Sequence, residues 1–402
     1  MDPLEGEVST TPVRYEPTTV KDLLVEMKDT AELLIDLSYS AVLHRNVDLA
    51  SEVLRLEERM DLLETRAWMQ LMMAARNPGD TEELAPVVGI VTAADLISDA
   101  AGDIAKIVLE DIGLPEALRT ALPEATESLV QSLVSTESPY ADRTLNDINL
   151  ESETGVRVIA IRRGSDWLLN PGPNTSLEGE DVVFLRGPDD AIESVFETLQ
   201  QRPYEPPADE HADVPDLERA VDTIVHMKDL SELGVDLAYS SVLFNSKDLA
   251  EEVRNLEVEV DALRDRLEAW TLRAAADASD PVGLRGLIRI GYATETISDA
   301  AVDISEGVLQ DIGPHPVVQL AVEESDEIIT RTKVEPDSQF DGASVEYGIP
   351  STDTTMSIIA IRRPEEGWLL VGDREVTIRA GDVLISKGTR TAADDFADAA
   401  TD

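Results

Sequence analysis

Apolar residues recur along the first hundred residues with the spacing of one helix face. Between residues 20 and 43 they fall every three or four positions, which predicts an amphipathic helix. The same pattern predicts a second helix over 47–75 and a third over 82–112, which ends before Gly113. Because only short turns separate these long segments, we predict an antiparallel three-helix bundle.

After residue 113 the helical spacing gives way to short runs rich in β-branched residues. A short helical stretch is predicted over about 115–134, and strands are predicted over 156–163, 167–169 and 181–185. Residues 191–199 return to helical spacing. This order of elements predicts a small α/β domain directly after the bundle.

The whole unit occurs twice in the chain. The sequence ISDAA occupies 97–101 and again 297–301, and IAIRR occupies 159–163 and again 359–363. A fixed offset of 200 residues over this length indicates an internal duplication. The second copy therefore predicts helices at 217–244, 247–278 and 281–312, and strands at 356–363, 368–371 and 382–386.

These patterns predict an α+β multidomain protein with a pseudo-twofold internal repeat. Two antiparallel three-helix bundles alternate in it with two small α/β domains. The predicted boundaries are a disordered tail over 1–16, bundles over 17–113 and 217–313, α/β domains over 114–201 and 314–390, a Pro-rich linker over 202–216 and an acidic tail over 391–402.

The charge balance argues against nucleic acid and anionic membranes as partners. The chain carries 82 acidic and 33 basic residues, a net charge of −49 that repels nucleic acid and anionic lipid. At molar salt the Debye length is about 3 Å, so this surface is typical of a salt-rich cytoplasm, as in an extreme halophile. We find no Cys, signal peptide or transmembrane-length apolar run, and therefore expect a soluble, cytoplasmic protein.

Carboxylates spaced four residues apart are the first candidates for chemistry. This spacing puts two side chains on one helix face, so neighbouring helices can present several oxygens to a hard cation. In so acidic a chain the same spacing also arises on solvated faces, and both interpretations stand. The candidate metal ligands are Glu57, Asp61, Asp95, Asp99 and Asp103 in the first copy, and Glu257, Asp261, Glu295, Asp299 and Asp303 in the second.

The same residues resemble the PhoU family of phosphate-transport regulators. The resemblance is carried by the motifs DLAxxVxxxExxxD at 48–61 and DxISDxxxDI at 95–104, and it covers roughly 20–112 and 220–312. It implies three-helix domains whose acidic motifs bind divalent or multinuclear metal ions. The chain departs from the family pattern in having Asp95 where Glu is usual, and in lacking a second bundle directly after the first.

The α/β units resemble the TrkA C-terminal domain, the ligand-binding domain of potassium-conductance regulators. The motifs are GVxVIAIRR at 155–163, the turn NPGPN at 170–174 and LExEDVVF at 177–184; the second copy has VGD at 371–373 in place of the turn. In that family the domains pair about a twofold axis, and some bind small ligands such as cyclic dinucleotides. The resemblance therefore implies an intramolecular pseudo-dimer, bundle against bundle and α/β domain against α/β domain, with a homo-oligomer as a second arrangement.

Two arginine pairs are the candidate ligand-binding residues of the α/β units. Arg162, Arg163, Arg362 and Arg363 concentrate positive charge in an acidic chain and suit an anionic ligand. The alternative is that they neutralise nearby acids or cap a strand edge.

The remaining motifs bear on function by elimination. We find neither the G-x-G-x-x-G nor the G-x4-G-K-[ST] phosphate loop, so no NAD or ATP site is expected, and no nucleophile–base arrangement points to an enzyme. We predict a non-catalytic regulator that senses a cation or small ligand and controls a membrane potassium or cation channel or transporter, at which it lies peripherally. The alternative is a PhoU-type metal-binding adaptor in phosphate transport or signalling.

Overall fold

The computed structural model describes most of the chain. The described residues are 18–115, 118, 128–150, 154–164, 166–169, 171–187, 189–203, 215–278, 280–312, 315–325, 328–346, 349–350, 356–363, 367–370, 376–388 and 390–401. The tail predicted at 1–16, most of the predicted linker and the VGD segment at 371–373 lie outside them.

Three long helices form the first bundle, as the periodicity predicts. Helix α1 spans Val20–His44, α2 spans Val47–Ala74 and α3 spans Pro78–Leu109. Helix α3 begins four residues earlier than predicted because the Asn77 side chain caps it and Pro78 fills a position that needs no amide donor.

The first α/β domain is a four-stranded antiparallel sheet with the strand order β1-β6-β3-β4. The helix predicted over 115–134 is wrong at its end, because 128–133 pairs along its whole length with β6 as a strand. The elements are β1 (Ser128–Leu133), β2 (Arg143–Thr144), α4 (Leu145–Ile148), β3 (Arg157–Arg163), β4 (Asp166–Leu169), β5 (Ser176–Leu177), β6 (Val182–Gly187) and α5 (Asp189–Gln200).

The second bundle repeats the first. Helix α6 spans Pro215–Leu243, α7 spans Lys247–Asp277 and α8 spans Arg285–Leu309. A 3₁₀ turn over Pro281–Leu284 precedes α8, so the third predicted helix is regular over a shorter stretch than 281–312.

The second α/β domain has the same strand order as the first, β7-β13-β10-β11. The duplication therefore includes the α/β domain. Its elements are α9 (Pro316–Glu324), β7 (Ile328–Lys333), β8 (Ser344–Glu346), β9 (Ile349–Pro350), β10 (Ser357–Arg363), β11 (Gly367–Leu370), β12 (Val376–Thr377), β13 (Val383–Gly388) and α10 (Arg390–Thr401).

The acidic tail predicted over 391–402 is a helix that belongs to the second α/β core. Ala392, Phe396 and Ala400 recur every four residues on its buried face. The Phe396 ring lies 4.7 Å from that of Phe340, centroid to centroid. The many acidic residues of this segment led to its prediction as a tail, although three apolar residues spaced four apart form one helix face.

A β-bulge in each sheet turns two consecutive apolar residues toward the bundles. The register of β3 against β6 shifts between Val158 and Ala160. As a result, Ile159 and Ala160 both join the core of the helices, while Val158 and Ile161 join the separate core under α5. Strand β10 repeats this shift between Ile358 and Ala360. Both faces of each sheet are therefore buried.

The two bundles pack against each other, and one apolar core runs through both. Helix α3 lies along α8. Near the pseudo-twofold axis, Lys28 Nζ lies 5.2 Å from the Tyr239 ring and Lys228 Nζ lies 5.7 Å from the Tyr39 ring, measured to the centroids. This reciprocal contact joins the first helices of the two copies.

The described residues do not show the expected pairing of the two α/β domains. Each sheet packs on bundle helices instead, because its two faces are taken up by the bundle and by its own helix. Helix α9 of the second α/β domain lies on α1 of the first bundle, where Lys28 Nζ donates to Ser325 Oγ at 2.8 Å.

Candidate functional sites

The five candidate carboxylates of the first bundle lie on facing sides of α2 and α3. The Glu57 carboxylate is half-buried against Gly102, in space that any side chain at that position would fill. Asp95 is partly buried beside it, whereas Asp61, Asp99 and Asp103 are exposed. We call these five residues the first acidic face.

Burial and mutual repulsion raise the pKa values of carboxylates in this face. Burial, reinforced by the charges of Glu64 and Asp99, raises the pKa of Asp95 to about 7. Asp95 Oδ1 is buried without a hydrogen-bond donor among the described residues. Burial also raises the pKa of Glu57, and Lys106 opposes this effect.

A lysine of the chain itself compensates part of this charge. Lys106 Nζ lies 3.3 Å from Glu57 Oε1 and 3.3 Å from Asp103 Oδ1, bridging α2 and α3. It therefore supplies one positive charge where the resemblance expects a metal ion.

The second acidic face comprises Glu257, Asp261, Glu295, Asp299 and Asp303 on α7 and α8. Burial and then the charge of Glu295 raise the pKa of Asp299 to about 6. Burial also raises the pKa values of Glu257 and Asp303. Here Arg264 takes the bridging position, in contact with Glu295 and 3.1 Å from Asp261.

The arrangement of these carboxylates does not fit a closed metal site. Among the described residues, no group of three or more His, Asp or Glu side chains is placed to hold a metal ion. The unpartnered Asp95 oxygen and the raised pKa values indicate unmet demand for positive charge, which Lys106 and Arg264 satisfy only in part. Metal binding at these faces therefore stays a proposal.

Two of the four candidate arginines hold their own domains together. Arg163 donates to both oxygens of Asp181, at 2.9 and 2.8 Å, and to the Ser176 carbonyl. Arg363 repeats the bidentate pair with Asp382, at 3.0 and 2.8 Å. These pairs join β3 to the start of β6, and β10 to the start of β13, as the neutralising interpretation expects.

The other two arginines face the bundles. Arg162 Nε lies 2.8 Å from Glu52 Oε1 on α2, and Arg362 Nη2 lies 3.1 Å from Asp248 Oδ2 on α7. Glu52 is not one of the candidate metal ligands that the sequence predicts. Its signal was a carboxylate on the apolar stripe of α2, between Leu49 and Leu56.

A second pair of contacts holds each sheet on its bundle. Arg186 Nη1 lies 3.2 Å from Asp36 Oδ2 on α1, and Lys387 Nζ lies 2.7 Å from Asp236 Oδ1 on α6. Lys387 also lies 3.6 Å from Glu32 on α1, so it bridges the two copies. Ion pairs thus connect both α/β domains to the first helices of the bundles.

Family models match the chain in three places. The PhoU domain matches residues 24–108 and 224–308, and the TrkA-C domain matches residues 129–200. The chain therefore contains two PhoU domains, which are the bundles, and a TrkA-C domain, which is the first α/β domain. These domains indicate a regulatory protein.

Solved structures give more distant similarities. The crystal structure of PhoU from Pseudomonas aeruginosa is 14% identical, with 72% of this chain and 93% of that chain covered and a TM-score of 0.40. The GsuK channel bound to NAD is 15% identical, with 79% and 65% covered and a TM-score of 0.19. Scores this low do not establish a shared overall arrangement. No curated protein sequence matches significantly.

One helix of the described part, α3, is long and apolar enough to cross a membrane by length and composition. Its most apolar window is 56% buried inside the protein, and the helix carries three residues of the first acidic face. The core helix of a bundle has the same composition, so this is weak evidence for a span.

Proposed function

We propose that this protein is a non-catalytic regulator that senses a cation or small ligand and controls a membrane potassium or cation transport system. The observation that supports this proposal is the presence of PhoU and TrkA-C domains in one chain, with the TrkA-C sheet buried against the bundle. A ligand that binds differently to two positions of the sheet would shift the bundle between two states.

The partner in this proposal is a channel or transporter subunit, with the protein held at the cytoplasmic side of the membrane. The test is ion uptake in cells that lack the protein. Potassium or rubidium uptake should change, phosphate uptake should stay normal, and the wild-type gene should restore the first. Normal potassium uptake in the deletion strain would overturn the proposal.

The second candidate is a metal-binding adaptor in phosphate transport or signalling. The unpartnered Asp95 oxygen and the raised pKa of Asp95 favour it, since a bound cation would relieve both. Divalent or multinuclear metal ions would be held by the two acidic faces. In the deletion experiment, altered phosphate uptake with normal potassium uptake would support this candidate.

Metal content tests the second candidate directly. Purified wild-type protein should contain metal, and the Glu57→Gln/Asp99→Asn double variant should contain less. Glu58→Gln, a substitution on the exposed side of α2, is the control and should retain it. Metal-free wild-type protein would rule out this candidate.

A further inference from the structure

An open cleft lies between the beginning of α2 and the first sheet. Its empty volume is about 1280 Å³, which includes space open to solvent. Helix α2 contributes Asp48, Glu52 and Arg55, the sheet contributes Arg162, and Arg202 follows α5. The cleft thus joins a PhoU domain to the TrkA-C domain.

The charge of this cleft differs from that of the molecule. Three arginines against two acids leave one net positive charge at its wall, in a chain with a net charge of −49. The amino-terminal end of α2 lies at the same wall; Asn46 caps its Asp48 and Leu49 amides, so the helix contributes its dipole rather than free donors. An anionic ligand is therefore favoured here.

Glu52 adds a second requirement. Only 3% of this residue is exposed, and its Oε1 atom contacts both Arg162 and Arg55. Its Oε2 atom is buried and has no hydrogen-bond donor among the described residues. Because an unsatisfied buried carboxylate oxygen is costly, this atom calls for a ligand that donates a proton.

The arginines keep donors for the rest of such a ligand. A guanidinium has five N–H donors. Glu52 occupies part of those of Arg55 and Arg162, and Arg162 Nη1 also donates to the Gly164 carbonyl at 3.0 Å, which leaves other donors of both arginines for a ligand. Arg202 is exposed, and within the described part it contacts only the Phe196 ring, 5.6 Å from its centroid.

We propose that this cleft binds an oxyanion that carries its own acidic proton, of which hydrogen phosphate is the simplest. The P–O–H group donates to Glu52 Oε2, and the anionic oxygens accept from Arg202 and Arg162. None of the described residues that line the cleft is aromatic, so stacking of a nucleobase has no support. The biological role of this site rests on the regulatory function proposed above, whereas the binding itself does not.

The described residues of the second copy do not repeat this arrangement, and they provide the control. Asn255 stands where the first copy has Arg55, and its Nδ2 atom donates to Glu252 Oε2 at 3.3 Å. Arg362 pairs with Asp248 instead, at 3.1 Å. Glu252→Gln is therefore the matched control for Glu52→Gln.

The test is calorimetric titration of the full chain with inorganic phosphate and with sulfate, at pH 7 and constant ionic strength. Sulfate has no proton to donate at this pH, so the wild type should bind phosphate at least tenfold more tightly. Glu52→Gln should abolish this preference, and Glu252→Gln should retain it. Arg202→Ala, at an exposed position, should weaken phosphate binding about tenfold.

Circular dichroism of each variant without ligand shows whether it is folded. If Glu52→Gln does not fold, Arg202→Ala still tests the site. A phosphorylated sugar that binds more tightly than free phosphate would identify the phosphate as part of a larger ligand. Equal affinity of the wild type for phosphate and sulfate, or no affinity for either, would overturn the proposal. Phosphate binding together with unchanged potassium uptake would support the site and contradict the proposed function.

Discussion

At the scale of single residues, the two copies differ in the polar atoms that they bury. Tyr39 and Tyr239 occupy equivalent positions beside the pseudo-twofold axis. The Tyr39 hydroxyl contacts Thr294 Oγ1 at 2.7 Å. The equivalent position in the first copy is Ala94, and the buried Tyr239 hydroxyl has no hydrogen-bond partner in the described part of the chain.

This difference predicts opposite results for the same substitution. Tyr39→Phe should lower the free energy of unfolding by about 1 kcal/mol, because it removes a satisfied buried hydrogen bond. Tyr239→Phe should leave it unchanged or raise it, since the hydroxyl that it removes is unsatisfied. Denaturant titration of both variants measures this, and equal losses would contradict it.

The raised pKa of Asp95 predicts a specific pH dependence in metal-free protein. The folded state keeps this proton up to about pH 7, whereas the unfolded chain loses it near pH 4, so stability falls as pH rises between these values. Asp95→Asn should remove this pH dependence. The change in free energy of unfolding that the substitution causes should therefore be more favourable at pH 8 than at pH 4, by about 1 kcal/mol after allowance for solvent screening.

The measurement compares urea titrations of Asp95→Asn and wild type at pH 4 and pH 8, in molar salt. Glu58→Gln, on the exposed side of α2, is the control and should show no such difference. A gain for Asp95→Asn that is the same at both pH values would show that proton binding at Asp95 does not cause it.

The candidate site could be predicted from the sequence only where spacing carried the information. The spacing of Asp95 and Asp99 placed both on one face of α3, as the structure has them. Lys106 and Glu52 were missed because their roles depend on a partner in another element. For Arg163 the sequence left two interpretations open, and only the position of Asp181 beside it favours one.

At the scale of elements, the bulge in β3 lets a short strand serve two cores. Regular alternation would place Ile159 and Ala160 on opposite faces, and one of them would leave the bundle. The extra residue keeps both in the core of the helices, so docking of the sheet depends on it.

Shortening the Ile159 side chain should weaken the packing of the sheet on the bundle more than the folding of the sheet itself. Ile159→Ala should cost about 2–4 kcal/mol of stability, because the cavity forms between sheet and bundle. Hydrogen exchange should increase in β3 and in the facing helices more than in α5, whose core is separate. Ile359→Ala is the matched variant in the second copy, and an equal increase throughout α5 would contradict this account.

Helix α10 should be required for the second α/β domain. Phe396→Ala should cost about 3–5 kcal/mol, because a fully buried ring leaves the core. Ala397→Ser, at an exposed position of the same helix, should cost much less. Thermal unfolding of the two variants measures the difference, and equal, small effects would restore the interpretation of this segment as a tail.

The elements that the sequence predicted well are those with long periodic patterns. The six bundle helices extend over many turns, so a few atypical residues do not hide their period. Strand β1 has only six residues, and its pairing with β6 fixes it as a strand although its own pattern does not. Helix α10 is similarly short and depends on three buried residues among acids.

At the scale of the whole molecule, the net charge of −49 opposes a compact fold. Ion pairs such as Arg186 with Asp36 and Lys387 with Asp236 lie where domains meet. Salt weakens these attractive pairs, but it also screens a much larger number of repulsive ones. We therefore expect the balance to favour the fold at high salt.

Thermal unfolding at a series of KCl concentrations tests this expectation. The melting temperature should rise steadily from 0.1 M to molar salt at constant pH, where the Debye length falls from about 10 Å to about 3 Å. A variant with several exposed acids of α7 replaced by Gln or Asn should show a shallower rise. A melting temperature that falls with salt would show that the ion pairs between domains dominate.

The fusion of two copies in one chain changes what a substitution can do. In a symmetric homodimer every substitution appears twice, so neither partner can lose a feature that the other retains. Here Thr294 contacts Tyr39 whereas the equivalent position in the first copy is Ala94, and Arg55 corresponds to Asn255. A substitution in the fused chain changes one half alone, so one half can specialise while the other preserves the shared framework.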